Sequence, residues 1–185
     1  MKKVYLIRHA LPDFPAWKKM CIGTTDIPLG GEGFAQAARM AEKLPVVTAV
    51  FSSPLTRAVQ TAQTIGVSVT VVDDLRELHM GAWDGLTFDE IRQQYPELYA
   101  ARGNDLTIPM PGAEDAEAGL ARFADAMRCC AMEAPGDLVV VTHGGIIARF
   151  LQEISGTWYK PGYAEIISLV WDGVNFELQE TVSNN

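Results

Sequence analysis

The chain has 185 residues, of which 48% are hydrophobic and 21% charged. That is the size of one ordinary domain, spanning residues 1–185, and its apolar content excludes a wholly disordered chain. Fifteen basic residues against twenty-three acidic ones leave a net charge of −8, which argues against a nucleic-acid partner and admits an anionic ligand only where basic residues gather in one pocket.

Val4 to Ile7 is a short apolar run that reads as a buried strand ending at Arg8-His9. Leu11 to Pro28 carries three prolines (Pro12, Pro15, Pro28) and no clean period, as a loop would. Gly31 to Lys43 has helical spacing, with Phe34, Ala37, Ala38 and Ala41 on one face. Val46 to Phe51 is a second apolar strand. Ser53-Pro54 then has the form of an N-cap followed by proline at the first helical position, and the helix continues through Arg57, Val59, Thr61 and Ile65. Val67 to Val72 is a β-branched strand.

Asp73 to Gly85 has loop composition. Thr87 to Tyr95 reads as a short helix, capped by Thr87 with Glu90 at the capping-box spacing. Pro96 to Gly112 has no firm pattern. Asp115 to Ala134 is a longer amphipathic helix, with Leu120, Phe123, Ala124 and Met127 spaced for one face. Leu138 to Val141 is the most apolar strand, followed by Thr142-His143-Gly144-Gly145 and a helix from Ile146 to Ile154. Ile166 to Trp171, Asp172-Gly173 and Asn175 to Glu180 form a predicted β-hairpin with an Asx-Gly turn. No internal repeat or low-complexity tract is present.

Strands and helices alternate and end in a hairpin. This order predicts an α/β fold, a three-layer sandwich with a mostly parallel central sheet, helices on both faces and a C-terminal hairpin. Cys21, Cys129 and Cys130 are odd in number, two are adjacent, and no CxxC pair occurs, so neither a disulfide framework nor a thiolate zinc site is expected. Lys2-Lys3 and the apolar run after them start like a signal peptide, but Arg8 and His9 cut the run short. No apolar stretch approaches the roughly 20 residues that cross a bilayer. A cytoplasmic protein with no membrane partner is the expectation.

In open α/β sheets ligands bind beyond the carboxyl ends of the strands. Those positions hold Arg8 and His9, then Ser52, Ser53 and Arg57, then Arg76, Glu77 and His79, then Thr142, His143 and Gly144-Gly145. All three histidines of the chain are among them. Arginine offers a planar fork of donors that matches phosphate oxygens. Neutral imidazole is a nucleophile near pH 7, and a second histidine can stabilise charge on a phosphoryl group in transfer. A glutamate can protonate the leaving oxygen and later take a proton from water. The helices after Ser53-Pro54 and after His143 would each aim a positive dipole end at the anion. Each residue also has an ordinary reading: a hydrogen-bonded strand-end histidine, a solvated Arg57, a loop-capping His79, a Gly-Gly pair needed only for packing. Co-location at the strand ends favours the functional one, and His79 is read as structural.

These blocks resemble the histidine phosphatase superfamily, also called the phosphoglycerate-mutase-like family. The resemblance rests on Leu6-Ile7-Arg8-His9-Ala10, on Gly23 to Leu29, on Phe51 to Ala58 with Thr61-Ala62, on Leu75 to Gly85 and on Val141 to Gly145. It implies His9 as the phosphorylated nucleophile, Arg8, Arg57 and His143 as phosphate-binding residues, and Glu77 as proton donor and acceptor, with no metal and no cofactor. Two stretches depart from the family pattern: Ala10-Leu11-Pro12 with Phe14-Pro15-Ala16, which offers the phosphate no polar group, and Pro111 to Asp115, where Glu114 is given no catalytic role. The shorter build is similar to the phosphatase branch, including α-ribazole phosphatases. The implied reaction is hydrolysis of a small phosphorylated metabolite, such as a sugar phosphate, a nucleotide or α-ribazole phosphate. The alternatives are mutase-type phosphoryl transfer and a catalytically silent phospho-ligand-binding protein. Specificity is expected in Leu11 to Ile22 and Pro96 to Gly112, where Trp17, Lys18, Lys19, Tyr95, Tyr99 and Arg102 are candidates to meet a leaving group. No Gly-x-Ser-x-Gly and no P-loop motif occurs.

Overall fold

A computed structural model of the protein describes residues 1–105 and 108–182. Leu106 and Thr107, inside one expected specificity segment, and the side chain of Trp17, inside the other, lie outside the described residues. The elements run β1 (Lys2–Arg8), α1 (Gly31–Ala41), β2 (Ala49–Ser52), α2 (Thr56–Gln63), β3 (Val69–Val71), α3 (Phe88–Gln94), α4 (Pro96–Asn104), α5 (Ala116–Glu133), β4 (Leu138–Thr142), α6 (Gly144–Ser155), β5 (Ile166–Trp171) and β6 (Phe176–Val182). The six strands form one sheet in the order β3-β2-β4-β1-β5-β6. The pairs β1–β4, β2–β4 and β2–β3 are parallel; β5 pairs antiparallel with β1, and β6 antiparallel with β5.

Three layers follow from the period of two along the strands. Val4 and Leu6 of β1 and Leu138 and Val140 of β4 face one core, with Phe123 and Met127 of α5 and Ile147 and Leu151 of α6. Tyr5, Ile7, Val139 and Val141 face the other, with Ala37 and Met40 of α1 and Ala58 and Ala62 of α2. Leu138 to Val141 are fully buried, as expected of a central parallel strand covered on both sides. Burying one such side chain contributes about 1.5–3 kcal/mol. Among the described residues no helix is long and apolar enough to cross a membrane.

Several local expectations need correction. The buried face of α1 is Gly33, Ala37 and Met40, while Phe34 is 43% exposed. α5 buries Gly119, Phe123, Ala126, Met127, Cys130 and Ala131, with Leu120 and Ala124 only partly covered. Ser53 does not cap α2, whose N-cap is Leu55. Instead the Asp26 carboxylate, from the preceding loop, accepts the Thr56 backbone N–H at 2.8 Å and its hydroxyl at 2.6 Å. Strand β2 begins three residues later than its apolar run and extends to Ser52, and β3 is shorter than the run that contains it. The unpatterned 96–112 segment opens with helix α4, which buries none of its residues and so has no apolar stripe to read. The Thr87–Glu90 capping box is present, with both reciprocal bonds. In the hairpin turn Asp172 accepts from the N–H groups of Val174 and Asn175, both at 2.7 Å.

Candidate active site

Strand register brings the two central histidines together. Arg8 pairs with Thr142 at the ends of β1 and β4, so His9 and His143 emerge side by side, and the His9 N–H donates to the Thr142 carbonyl at 2.9 Å. Their ring centroids lie 5.1 Å apart and tilted by 56°. On the other side of β4, Ser52 pairs with Val141. This places the Ser53 hydroxyl 2.7 Å from His143 Nε2. The serine read as a helix cap is therefore a partner of the histidine.

The His9 ring has a defined proton. Its Nδ1 lies 2.7 Å from the Ala10 carbonyl oxygen. A carbonyl only accepts, so Nδ1 carries the hydrogen and Nε2 keeps its lone pair. Burial is the main force that holds the His9 pKa well below the usual imidazole value, and the positive charges of Arg57 and Arg8 add to it. His143 is depressed in the same way, by burial first and then by Arg57, His9 and Arg8. Both rings are thus neutral at pH 7.

Two guanidiniums supply positive charge. Arg57 is fully buried and donates to the carbonyls of Thr25 and Gly23, both at 2.8 Å. Arg8 donates to the Pro161 carbonyl at 2.8 Å and lies 3.8 Å over the Tyr163 ring, a cation–π contact. Burial draws both pKa values down from the ordinary arginine value, yet a guanidinium remains charged. Among the described residues, four buried side-chain polar atoms have no hydrogen-bond partner: Arg8 Nε, Arg57 Nε, His143 Nδ1 and Trp83 Nε1. Orphan groups of that kind are costly and rare in folded proteins. Here three of them belong to residues around one histidine, which is the polarity an oxyanion would satisfy.

Glu77 closes the site from the third strand end. Its carboxylate accepts from the N–H groups of Gly145 at 2.7 Å, Ile146 at 2.8 Å and Leu78 at 3.0 Å. The first turn of α6 therefore serves Glu77, and that of α2 serves Asp26. The Thr56, Gly145 and Ile146 N–H groups at these two helix ends are therefore taken by carboxylates of the chain. The Gly-Gly pair has a steric reason. A Cβ at Gly144 would lie 2.9 Å from Arg8 Nε, and one at Gly145 would lie 2.9 Å from both Glu77 oxygens.

Supporting residues that carry no sequence signal hold this set. Asp84 accepts from the N–H groups of Gly23, Thr24 and Thr25 and from the Thr24 hydroxyl, fixing the loop whose carbonyls hold Arg57. Burial alone would raise the Asp84 pKa, but these bonds outweigh it and hold it at about 2. Arg122 donates to the carbonyls of Arg76 and Glu77 and pairs with both oxygens of Glu114. Glu165, 3% exposed, accepts from the Gly162 N–H at 2.6 Å and from the Tyr159 hydroxyl. Tyr163 was missed as well; its ring lies 5.6 Å from that of His9. His79 is exposed, and its Nδ1 accepts the Gly81 N–H at 3.0 Å, a loop-capping role. Among the described residues no cluster of three or more His, Cys, Asp or Glu could hold a metal ion.

A cavity of about 760 Å³ opens beside Glu77. Gly145 and Leu78, whose N–H groups donate to the carboxylate, line it together with His79, Trp83, Tyr99, Arg102 and Trp158. Of the expected specificity residues, Tyr99 and Arg102 line it. Lys18 and Lys19 line a separate, smaller pocket of about 200 Å³ with Thr87, Phe88 and Asp89.

Comparison with known proteins places the chain in a family. Residues 4–181 match the histidine phosphatase superfamily (branch 1). Two proteins of Arabidopsis thaliana are each 35% identical: phosphoglycerate mutase-like protein 4, over 78% of this chain and 67% of its own, and the metal-independent phosphoserine phosphatase, over 83% and 68%. The structure of mycobacterial glucosyl-3-phosphoglycerate phosphatase in complex with VO3 superposes with a TM-score of 0.82 at 27% identity, covering 97% of this chain and 98% of the other. Because that family match runs through nearly the whole chain and both relatives are 35% identical over most of it, the chain belongs to the histidine phosphatase superfamily.

Proposed function

We propose that the protein hydrolyses a small phosphomonoester through a phosphohistidine, with His9 as nucleophile. One observation carries this reading: the His9 ring is neutral, its Nδ1–H is engaged by Ala10, and its bare Nε2 belongs to a site with a buried guanidinium (Arg57), a half-buried one (Arg8) and three unpartnered polar atoms. Nε2 attacks phosphorus, and the bond from phosphorus to the leaving oxygen breaks. Arg8, Arg57 and His143 hold the phosphoryl oxygens as charge shifts onto them. Glu77 gives the leaving oxygen its proton. In the second half-reaction water attacks the phosphorus, Glu77 takes the water's proton, and the N–P bond breaks to release inorganic phosphate. Splitting hydrolysis this way exchanges one high barrier for two lower ones. No metal is required by these steps. A cytoplasmic location and the absence of a nucleic-acid partner belong to the same reading, supported by three free cysteines and a net charge of −8.

The test is phosphate release from 4-nitrophenyl phosphate in the presence of a chelator, together with quenched labelling by a 32P-phosphoester. Turnover should persist in the chelator, and the label should be acid-labile, base-stable and located on His9. His9→Ala should lower kcat by about 10⁴-fold or more, as loss of a covalent nucleophile does. Full activity of His9→Ala overturns the reading. Transfer between phosphoglycerates faster than hydrolysis would assign the chain to mutase chemistry instead.

A further inference from the structure

The cavity beside Glu77 carries a charge pattern that the phosphoryl chemistry does not use. Three cations line it: Arg102 from α4, Arg149 from α6, and Lys160 from the segment before β5. Among the described residues none of the three forms a salt bridge, although the chain has more acidic residues than basic ones. The two carboxylates in the same lining are committed elsewhere. Glu114 accepts from Arg122 at 2.7 and 2.8 Å, and Asp115 caps α5 by accepting the Ala118 N–H at 2.9 Å. Arg102 and Arg149 are close enough that Arg149, after burial, is the next cause of the lowered Arg102 pKa. Asp105 offsets part of the repulsion at Arg102; the like charges that remain together raise each other's energy, and a bound anion relieves that cost.

The position of these cations fits the leaving group of a substrate seated on His9. Arg149 lies four residues after Gly145 on α6, about 6 Å along the helix at 1.5 Å per residue. Gly145 itself donates to Glu77. The walls between are apolar and aromatic. The Trp83 and Tyr99 rings lie 6.1 Å apart, Arg102 stands 5.5 Å over Trp83, and its Nη1 donates to the Ile108 carbonyl. A guanidinium fixed in this way is oriented before any ligand arrives, so less ordering entropy is lost on binding.

We propose that the preferred substrate is a phosphomonoester whose leaving alcohol carries a second anionic group, held by Arg102 and Arg149 with Lys160 at the rim, and whose apolar or planar body lies against Trp83 and Tyr99. The proposal rests on the phosphatase reading and names the substrate class of that same site.

The experiment compares matched esters: 4-carboxyphenyl and 3-carboxyphenyl phosphate against their carboxamide counterparts, which keep the shape and remove the charge. At least one carboxylate ester should exceed its carboxamide in kcat/KM by about tenfold, a factor within the range of charge-assisted pairing. In Arg102→Gln/Arg149→Gln that ratio should fall to near one, and in Arg102→Lys/Arg149→Lys it should be partly retained. Circular dichroism and thermal melting check that the variants are folded. If the carboxamide esters are hydrolysed and neither carboxylate ester is preferred by even twofold, this proposal fails and the phosphatase reading stands. If the double glutamine variant is folded and keeps the wild-type ratio, the assignment to these arginines fails. If none of the four esters is hydrolysed, the phosphatase reading fails and the substrate class falls with it.

Discussion

Gly145 and Glu77 are in a contact that leaves no room for a side chain: the Gly145 N–H donates to Oε2 at 2.7 Å, and a Cβ would meet both oxygens at 2.9 Å. Alanine is the better helix former, and Gly145 does not sit at positive φ, so the backbone itself tolerates the change. Gly145→Ala should therefore leave the melting temperature nearly unchanged while pushing the carboxylate from its place. A misplaced acid/base group of this kind costs about 10²-fold. The measurement is kcat beside the melting curve; kcat within twofold of wild type would show that the Glu77 position is not demanding.

The lowered histidine pKa values predict an acid-tolerant enzyme. kcat/KM reports ionisations of the free enzyme. After correction for substrate ionisation it should hold level as pH falls through 6.5 and decline only towards the lower values of His9 and His143. Stability follows the same sign. The unfolded histidines bind protons near pH 6.5 and the folded ones do not, so the contribution is complete above about 6.5 and is lost as pH falls towards the folded values. The melting temperature of wild type should drop more steeply below pH 6.5 than that of His143→Gln. An activity limb centred at 6.5 or above would contradict the burial of His9.

Much of this site was legible because it sits where strands end. β1 and β4 announce themselves as continuous apolar runs, being covered on both faces, and the polar residues just beyond them stand out. The capping box was equally legible, since its partners are three residues apart. Ser53 was misread for the opposite reason: its hydroxyl serves His143, ninety residues away, while Asp26 does the capping across thirty. Helix α4 has no buried side chain, and hence no periodic stripe. Tyr163 under Arg8 and Glu165 behind it depend on the antiparallel return of β5 alongside β1, a long-range placement that no local pattern encodes.

Asp84 is a structural anchor with a pH signature. Its carboxylate gathers three backbone N–H groups and a hydroxyl from Gly23 to Thr25, and the carbonyls of Gly23 and Thr25 fix Arg57. A pKa held at about 2 against an ordinary 3.8 contributes stability that is complete above about 4 and lost as pH falls towards 2. Discounted for solvent access, the contribution is about 1–2 kcal/mol. Asp84→Asn should lower stability by that amount at pH 7 and converge with wild type near pH 2. It should also raise the inhibition constant of inorganic phosphate, because Arg57 loses its fixed acceptors. An equal stability difference at both pH values would rule out this role.

Glu165 acts on the site through the segment before β5. Its buried carboxylate binds the Gly162 N–H and the Tyr159 hydroxyl. That closes the turn carrying the Pro161 carbonyl and the Tyr163 ring, the two groups that orient Arg8. Ala164, at φ 54°, is fully buried there and donates to the Arg8 carbonyl at 3.0 Å. Positive φ is unfavourable for alanine, so the turn persists only while its neighbours hold it. Glu165→Ala should free Arg8 and weaken phosphate binding more than it slows the chemical step. The expected result is a KM and a phosphate inhibition constant raised by about tenfold, with kcat changed by less than about threefold. Glu165→Gln keeps one acceptor oxygen and should fall between. A variant that loses melting temperature with KM unchanged would make Glu165 a stability residue and nothing more.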